Sequence, residues 1–379
     1  MNTISLNLEH PIKLAVVTGA SGHLGANLVR VLLALGIHVR AVVHPNRPHP
    51  ALTELPVEIV EHDVRNPDGW NEVLQNCTHL FHCAALFSFE SNQHSNILTT
   101  SIDGTRNLLL AASKCPTIER IVYTSSTASI GYSHSPNDIL NETDWNDAPD
   151  SVYAETKVNS EKIAWELAKV YSLPLIVVNP SVILGYYDFR LTPPMQMVLQ
   201  PMLRSIPFTI PGGLTIVDAT DCAVGHVLAA DKGRIGERYI LSGERYSIVE
   251  LNYIICGLIG TMPPRFVLGK TSGEFLSLLL QFGSFISRKP AVLTKKRFRD
   301  LYDRYGYYTS EKAKTELGFS FISGKDTVAQ AIAWLLIGNA VPVKNLTKMH
   351  LREEIINQLP IGWTPGKKIQ FQTFPKVRT

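Results

Sequence analysis

Hydrophobic and polar positions follow two alternating periods through the first half of the chain. Short runs of apolar, mostly β-branched residues predict strands at 14–18, 38–43, 57–61, 79–83, 120–125 and 175–179. Between them, apolar residues at helical spacing predict helices at 22–35, 97–114 and 152–171. Strands and helices that alternate at these distances imply right-handed crossovers, with helices on both faces of a parallel sheet. The pattern therefore predicts an α/β fold with a doubly wound parallel sheet.

The regular alternation stops after Gly185. Five prolines between positions 193 and 211 divide the next region into shorter elements, and helical patterns return at 310–317 and 327–337. This indicates a smaller, discontinuous C-terminal lobe that caps the sheet. We predict one unit over residues 1–185, a lobe over 186–340 that returns some elements to that unit, and an appendix of unknown role over 341–379.

Composition narrows the class of protein. The 379 residues are 45% hydrophobic and 18% charged, with a net charge of +3 and no basic block, which argues against nucleic acid as a partner. Five widely spaced cysteines without a CxxC pair argue against a disulfide framework and a zinc site, so no metal is expected. The polar N-terminus does not resemble a secretory signal, and we expect a cytoplasmic protein.

The longest apolar run, at 276–286, is too short and too interrupted to span a bilayer. A buried helix is the favoured interpretation of this run. The alternative is an apolar lid or a membrane-surface contact, because Arg288 and Lys289 follow directly and four further basic residues lie between 295 and 299. The apolar residues of this region are assigned to the core or, as the alternative, to contact with a hydrophobic substrate: Phe275, Leu278, Leu279, Leu280, Phe282 and Phe285.

A glycine-rich turn, Thr18-Gly-Ala-Ser-Gly-His-Leu-Gly25, follows the first predicted strand. Gly19 permits a tight turn, Gly22 lets a pyrophosphate approach the backbone, and Gly25 allows close packing of the helix. The helix N-terminus offers unpaired N–H groups to an anion. Glycines also gather in ordinary turns, but the position between strand and helix favours a dinucleotide site. Its candidate ligands here are Gly19, Ser21, Gly22, His23, Leu24 and Gly25.

The adenine end of this site lacks the carboxylate that often closes the second strand and binds ribose hydroxyls. His44 and Arg47 stand there instead and could contact a 2′-phosphate, which favours NADP over NAD; both could equally be solvated loop residues. Asp63 follows the third strand and could bind the adenine amino group, and small residues follow the fourth strand, where the dinucleotide could lie close. The further candidate cofactor ligands are Asp63, Val64, Ala84 and Ala85.

A tyrosine and a lysine open the helix after the fifth strand. Tyr153 and Lys157 are four residues apart and share a helix face, and a nearby cation would lower the pKa of the phenol toward that of a general acid or base. A hydroxyl of the cluster Thr124-Ser125-Ser126-Thr127, at the end of the fifth strand, could polarise a substrate oxygen. Each feature alone is common on solvated helices and in turns, but their conjunction favours a catalytic site.

In this order and spacing, the glycine turn, Asp63-Val64, Ser126 and Tyr153-x-x-x-Lys157 resemble the extended short-chain dehydrogenase/reductases. The resemblance spans roughly residues 12–340 and implies a dinucleotide-binding Rossmann domain over 1–185 and a substrate lobe over 186–340. It implies that Tyr153 donates or accepts a proton and lies among the cofactor ligands, and that Lys157 modulates its pKa and binds ribose. It also implies that Ser126, rather than Ser125, polarises the substrate. The segment beginning Asn179-Pro180-Ser181-Val182 resembles the loop that meets the nicotinamide, which makes Pro180 and Val182 cofactor ligands.

Three departures disfavour the sugar-nucleotide branch of that family. Val182 replaces an asparagine, Leu214 replaces an arginine, and Thr127 and Ala128 replace an acid pair with a proton-transfer role. Other phrases, such as Gly-Glu-Arg-Tyr-Ile-Leu at 236–241, resemble the dihydroflavonol-reductase-like and 3β-hydroxysteroid-dehydrogenase-like branch.

The resemblance therefore implies an NAD(P)-dependent oxidoreductase that transfers hydride between nicotinamide and a small to medium, fairly apolar ketone or alcohol. One alternative is a nucleotide-sugar epimerase or dehydratase with tightly bound NAD. Another is a non-catalytic dinucleotide-binding sensor, which would need only the glycine turn. By analogy with such folds, a homodimer is also expected.

Overall fold

The computed structural model describes residues 6–84, 94–204, 207–287, 295, 298–299 and 302–364, and no side chains at 94–100 or 279–287. Its strands are β1 (Leu14–Thr18), β2 (His38–Val43), β3 (Glu58–Glu61), β4 (His79–His82), β5 (Arg120–Thr124), β6 (Leu175–Pro180), β7 (Val182–Leu184), β8 (Phe208–Thr209), β9 (Gly213–Asp218), β10 (Arg238–Leu241), β11 (Arg245–Ser247), β12 (Phe266–Val267) and β13 (Tyr305–Gly306).

Its helices are α1 (His23–Ala34), α2 (Trp70–Val73), α3 (His94–Ala112), α4 (Val152–Tyr171), α5 (Pro193–Leu203), α6 (Ala219–Lys232), α7 (Ile248–Leu258), α8 (Lys270–Ser287), α9 (Glu311–Leu317), α10 (Gly324–Ile337), α11 (Val343–Leu346) and α12 (Glu353–Ile356). The predicted strands and helices of the first half lie at these places, with ends that differ by up to three residues. The predicted helix at 327–337 begins three residues earlier, after the Ser323 hydroxyl that accepts a hydrogen bond from the Asp326 amide.

Seven parallel strands form the central sheet in the order β3-β2-β1-β4-β5-β6-β10. Helices α1 and α6 pack together on one face, and α3 and α4 pack together on the other. Because both faces are covered, β4 and β6 are buried along their whole length, including the polar side chains of His79, His82 and Asn179. The order and the two helical layers confirm the α/β doubly wound class, a Rossmann-like fold.

The region after Gly185 is interleaved with the sheet. Strand β10 joins the edge of the main sheet beside β6, and α6 covers a face of it. Outside the sheet, β9 pairs with β7, β11 and β13 to form a small second sheet. Helices α5, α7 and α10 surround a separate apolar core beside it. The carboxyl edge of the main sheet thus faces a second layer built from later residues.

The described part of the appendix packs on this second core. Ile355 of α12 is fully buried, and Trp363 packs against the same apolar cluster. The Tyr186 hydroxyl donates to the carbonyl oxygen of Gln358, and the Lys325 ammonium lies 2.6 Å from the Glu354 carboxylate. Residues 341–364 therefore extend the lobe.

Helix α8 leaves two of the residues assigned to the core exposed. The side chains of Phe275 and Leu278 are 63% and 49% exposed, so the core interpretation is wrong for both. They lie on the outer face of the helix, whereas Ser277 faces inward. The side chains of Leu279, Leu280, Phe282 and Phe285, together with Arg288 and Lys289, lie outside the described residues.

Within the ranges given above, no helix has both the length and the apolar character needed to cross a bilayer. The alternative of a membrane-surface contact at α8 stays a prediction.

Candidate functional site

The turn between β1 and α1 requires its first and last glycines. Gly19 has a φ of +68°, and a Cβ there would lie 2.7 Å from the Ala84 nitrogen at the end of β4. A Cβ on Gly25 would collide with the carbonyl oxygen of Gly19. The Gly22 amide donates to that same oxygen at 2.9 Å, which closes the turn. The two glycines let helix, turn and neighbouring strand approach more closely than any side chain allows.

This turn fits the pyrophosphate of a dinucleotide. Gly22 is the extended N-cap of α1, so the amides of His23 and Leu24 have no acceptor within the helix and can bind an anion. The His23 Nε2 atom is buried without a hydrogen-bond partner among the described residues. Ser21 is buried beside them. Pyrophosphate would bind to the helix N-terminus, with Gly22 leaving the approach clear of a side chain.

The predicted adenine end contains an ion-pair cluster. The Asp63 carboxylate binds Arg65 and lies 3.5 Å from the His44 Nε2 atom, and the hydrogen bond from Arg65 lowers the pKa of Asp63 to about 2. His44 Nδ1 accepts from the Asn46 amide, which puts the ring proton of neutral His44 on Nε2, facing Asp63. Arg47 is exposed. His44 and Asp63 thus come together, and adenine binding by Asp63 stays a prediction.

The remaining predicted cofactor ligands lie along the strand ends. The Ala84 amide donates to the Thr18 hydroxyl at 3.3 Å, beside the glycine turn. Val64 packs against α3 at Gly104, where a Cβ would touch its side chain. Pro180 ends β6 and Val182 begins β7, so both lie close to the end of β5. Ala85 lies outside the described residues.

The three predicted catalytic residues meet at the carboxyl end of β5. Ser151 caps α4 by accepting from the Ala154 amide, which begins the helix just before Tyr153. The Ser126 hydroxyl accepts from the Ala128 amide at 3.1 Å and makes a hydrogen bond with the Tyr153 phenol. The Lys157 ammonium donates to the Thr124 carbonyl at 3.1 Å.

Burial controls the protonation of this group. It raises the pKa of Tyr153, against the opposing effect of the hydrogen bond with Ser126. It lowers the pKa of Lys157 to about 8. The expected lowering of the phenol pKa by Lys157 is not what the structure shows, because desolvation of the phenol outweighs the favourable contacts of its ionised form. At neutral pH the phenol is protonated and the ammonium is charged.

A buried ion pair beneath Ser126 was missed by the sequence analysis. Glu161 lies one helical turn beyond Lys157, and its carboxylate is 2.7 Å from Arg238 Nε. It also accepts from Ser129 at 2.6 Å and from Asn179 at 3.1 Å. The Asn179 amide also donates to the Ser126 carbonyl, so the network fixes the loop that carries the Ser126 hydroxyl. The sequence did contain a signal for Glu161, because it follows Tyr153 and Lys157 at the same four-residue spacing and therefore shares their helix face.

Two histidines behind the site are buried in neutral form. His226 Nε2 lies 3.1 Å from the Thr124 hydroxyl, and burial lowers the pKa of His226 to about 4. His82 Nδ1 lies 2.7 Å from the Thr18 hydroxyl, and burial lowers its pKa to about 3. These rings connect the strand ends through hydroxyl groups and bring no charge to the site near neutral pH.

A cavity of about 900 Å³ lies elsewhere, between α7, the start of α10 and residues 352–358. Its lining includes Tyr253, Lys325 and Glu354 and none of the three catalytic candidates. Within the described ranges, no group of three or more histidine, cysteine or acidic residues could hold a metal ion.

Comparison with known proteins gives matches over most of the chain. The model of the NAD dependent epimerase/dehydratase family matches residues 15–242. A protein of Synechocystis sp. that carries the name of a dihydroflavonol 4-reductase is 31% identical over 87% of this chain and 97% of its own length. Sterol demethylase protein B of Methylococcus capsulatus is also 31% identical, over 84% of this chain and 97% of its own length.

Solved structures show the same fold. The crystal structure of gox2253 superposes with a TM-score of 0.75 at 31% identity and covers 85% of this chain and 98% of that one. Vestitone reductase from alfalfa superposes with a TM-score of 0.63 at 20% identity, covering 85% of this chain and 97% of its own.

Proposed function

The chain belongs to the NAD-dependent epimerase/dehydratase family, and from this premise we propose that it is an NAD(P)-dependent oxidoreductase. The proposed reaction transfers hydride between nicotinamide and a ketone or alcohol. The observation that supports it most directly is the hydrogen bond between Tyr153 and Ser126 at the carboxyl end of β5, with Lys157 on the same helix. Ligands of open α/β sheets bind at this edge. The relatives named for dihydroflavonol 4-reductase agree with this reaction class.

The nicotinamide of the bound cofactor supplies or accepts the hydride. In the reducing direction, the Tyr153 phenol gives its proton to the carbonyl oxygen as the alcohol forms. Its raised pKa suits this role, because the group is a protonated acid at neutral pH. Ser126 donates a hydrogen bond to the same oxygen, where negative charge develops. In the oxidising direction, the Tyr153 phenolate takes the proton of the substrate hydroxyl as the carbonyl forms, and Ser126 keeps its hydrogen bond to the same oxygen.

Lys157 has two functions in this proposal. Its ammonium binds the ribose hydroxyls of the cofactor and stabilises the phenolate that remains after Tyr153 loses its proton. The Thr124 carbonyl orients the ammonium, and the pKa of about 8 leaves it charged at neutral pH. Burial disfavours the charged form of Lys157, so hydrogen bonds from its ammonium to the ribose hydroxyls would be favourable.

A fairly apolar substrate and an NADP preference complete the proposal. The positions at which the sugar-nucleotide branch has polar groups hold the buried Leu214, the half-buried Val182 and the buried Thr127. No carboxylate ends β2, where His44 and Arg47 follow the strand instead. A diphosphate sugar would require cationic partners that these positions do not supply.

The homodimer expected by analogy with such folds can be tested by light scattering of the purified protein.

The deciding experiment compares wild type with Tyr153→Phe on a panel of apolar ketones, with NADPH and NADH. We expect the variant to bind cofactor with unchanged affinity and to lose at least ~10²-fold in kcat. Tyr171→Phe, exposed at the end of the same helix, is the matched control. Undiminished turnover by the Tyr153 variant would refute the mechanism.

Other results would support the alternatives. Co-purified oxidised NAD with a melting shift on adding UDP-sugars would establish the epimerase or dehydratase. Tight NADPH binding without turnover of any carbonyl would establish the sensor.

A further inference from the structure

Arg190 contacts the glycine-rich turn from a distant part of the chain. Its Nη2 atom donates to the Ser21 hydroxyl at 3.0 Å across a sequence separation of 169 residues. Arg190 lies in the loop between β7 and α5, and the residue as a whole is exposed. Because the hydroxyl is neutral and uses one of the five N–H donors, the guanidinium keeps donors for a ligand.

Buried contacts fix the backbone of this loop. The Asp188 carboxylate is buried and accepts from the Arg190 amide at 3.1 Å and from the amide and hydroxyl of Thr192, both at 2.7 Å. The Trp334 indole of α10 donates to the Asp188 carbonyl at 2.9 Å. On the other side, Asn27 of α1 donates to the Tyr186 carbonyl at 3.0 Å. Arg190 is therefore held at the turn by both the first unit and the lobe.

Positive charges converge at this end of the sheet. The Ala20 amide donates to the Val42 carbonyl at 3.4 Å, so the glycine turn adjoins the end of β2, which His44 and Arg47 follow. Partial burial of the guanidinium and, secondly, the charge of Arg47 lower the pKa of Arg190. The charge of the Asp188 carboxylate opposes this shift, and a phosphate bound near both arginines would relieve their mutual repulsion further.

We propose that Arg190 is a specificity residue that binds the 2′-phosphate of NADP(H), together with Arg47. This deepens the proposed function, on which it rests for the presence of a dinucleotide. In such folds the adenine ribose lies by the end of the second strand, where an acid selects a free hydroxyl and an arginine accommodates a phosphate. Here the basic group comes instead from the loop after β7, with its side chain positioned by Ser21.

The test is calorimetric titration of the whole protein with NADPH, NADH and 2′,5′-ADP. For Arg190→Ala we expect the Kd of NADPH and of 2′,5′-ADP to rise ~10- to 100-fold and that of NADH to change less than about twofold. Arg190→Lys keeps the charge without the planar fork and should give an intermediate loss for the phosphorylated ligands. Arg265→Ala, an exposed arginine on another loop, controls for net charge and should leave all three Kd values unchanged.

Three outcomes would overturn the proposal. If Arg190→Ala weakens the binding of NADPH and NADH equally, Arg190 does not recognise the 2′-phosphate. A fall in Tm of the variant would then show that Arg190 is a structural link of the loop, and an unchanged Tm would place it at the pyrophosphate. Unchanged affinity for all ligands would show that the guanidinium contacts none of them. If the wild-type protein binds NADH more tightly than NADPH, it has no subsite that favours the 2′-phosphate. None of these results bears on hydride transfer, which the Tyr153→Phe comparison tests separately.

Discussion

The Glu161 carboxylate lies 2.7 Å from the Arg238 guanidinium, with the first side chain fully buried and the second 8% exposed. Helix α4 supplies the acid and β10 supplies the guanidinium, so the pair connects the helix that carries Tyr153 and Lys157 to the edge strand that the later part of the chain adds to the sheet. Arg238 also donates to the carbonyls of Glu142 and Asp144. Arg238 also donates to the Ser129 hydroxyl at 3.2 Å, so the pair holds the Ser126 loop in one geometry.

Breaking this pair should destabilise the protein strongly. Glu161→Gln leaves a buried guanidinium without its counter-charge, and we expect the free energy of unfolding to fall by ~3–5 kcal/mol, measured by urea denaturation. The double variant Glu161→Leu/Arg238→Met should lose much less than the sum of the two single changes. Arg234→Met breaks the exposed pair with Glu316 and should cost less than ~1 kcal/mol. Equal costs for Glu161→Gln and Arg234→Met would contradict this assignment.

Adjacent serines should have separable roles. Ser126 contacts Tyr153, whereas Ser125 donates to the buried Glu161 carboxylate. Ser126→Ala should therefore lower kcat ~10²-fold, because one donor to the developing oxyanion is lost, and should cost only about 1 kcal/mol of stability through loss of the cap on the Ala128 amide. Ser125→Ala should keep most of its turnover and lose ~1–3 kcal/mol of stability, because a partner of a buried charge is removed. Steady-state kinetics and melting curves for the two variants decide the matter, and the reverse pattern would assign catalysis to Ser125.

The appendix provides another matched pair. Ile355 is fully buried in the second core, whereas its neighbour Ile356 is 52% exposed. Ile355→Ala should reduce the free energy of unfolding by ~2–5 kcal/mol through lost burial and a cavity. Ile356→Ala should change it by no more than ~0.5 kcal/mol. Chemical denaturation checks both, and similar small effects would mean that residues 341–364 contribute little to the fold.

The sequence predicted the elements that hydrophobic burial determines. Strands such as β1 and β6 lie between two helical layers, so runs of consecutive apolar residues at 14–17 and 175–178 mark their positions. Tyr153, Lys157 and Ser126 could be found because local geometry brings them together: one helical turn separates the first two, and a strand end presents the third. Their meeting in the structure agrees with that reasoning, while their catalytic roles stay predictions.

The sequence could not show contacts that depend on tertiary packing. Arg238 meets Glu161, and Arg190 meets Ser21, only because β10 and the loop after β7 return to the sheet. The exposure of Phe275 and Leu278 depends on which face of α8 meets the lobe, which an apolar stripe alone does not determine. Short helices such as α12 lack enough turns for periodicity to appear, and Ile355 becomes a core residue only through docking.

Lys157 should give the protein a characteristic pH dependence. Burial lowers its pKa to about 8 from an ordinary value of 10.5, so between these values the unfolded chain binds more protons than the folded one. Stability contributed by this group therefore rises with pH. Relative to Lys157→Met, wild type should gain about 2 kcal/mol of unfolding free energy between pH 7 and pH 9.5, measured by urea denaturation at each pH. The control Lys162→Met removes an exposed charge from the same helix and should shift little against wild type over that range. A wild-type curve parallel to that of Lys157→Met would show that the folded protein does not depress this pKa.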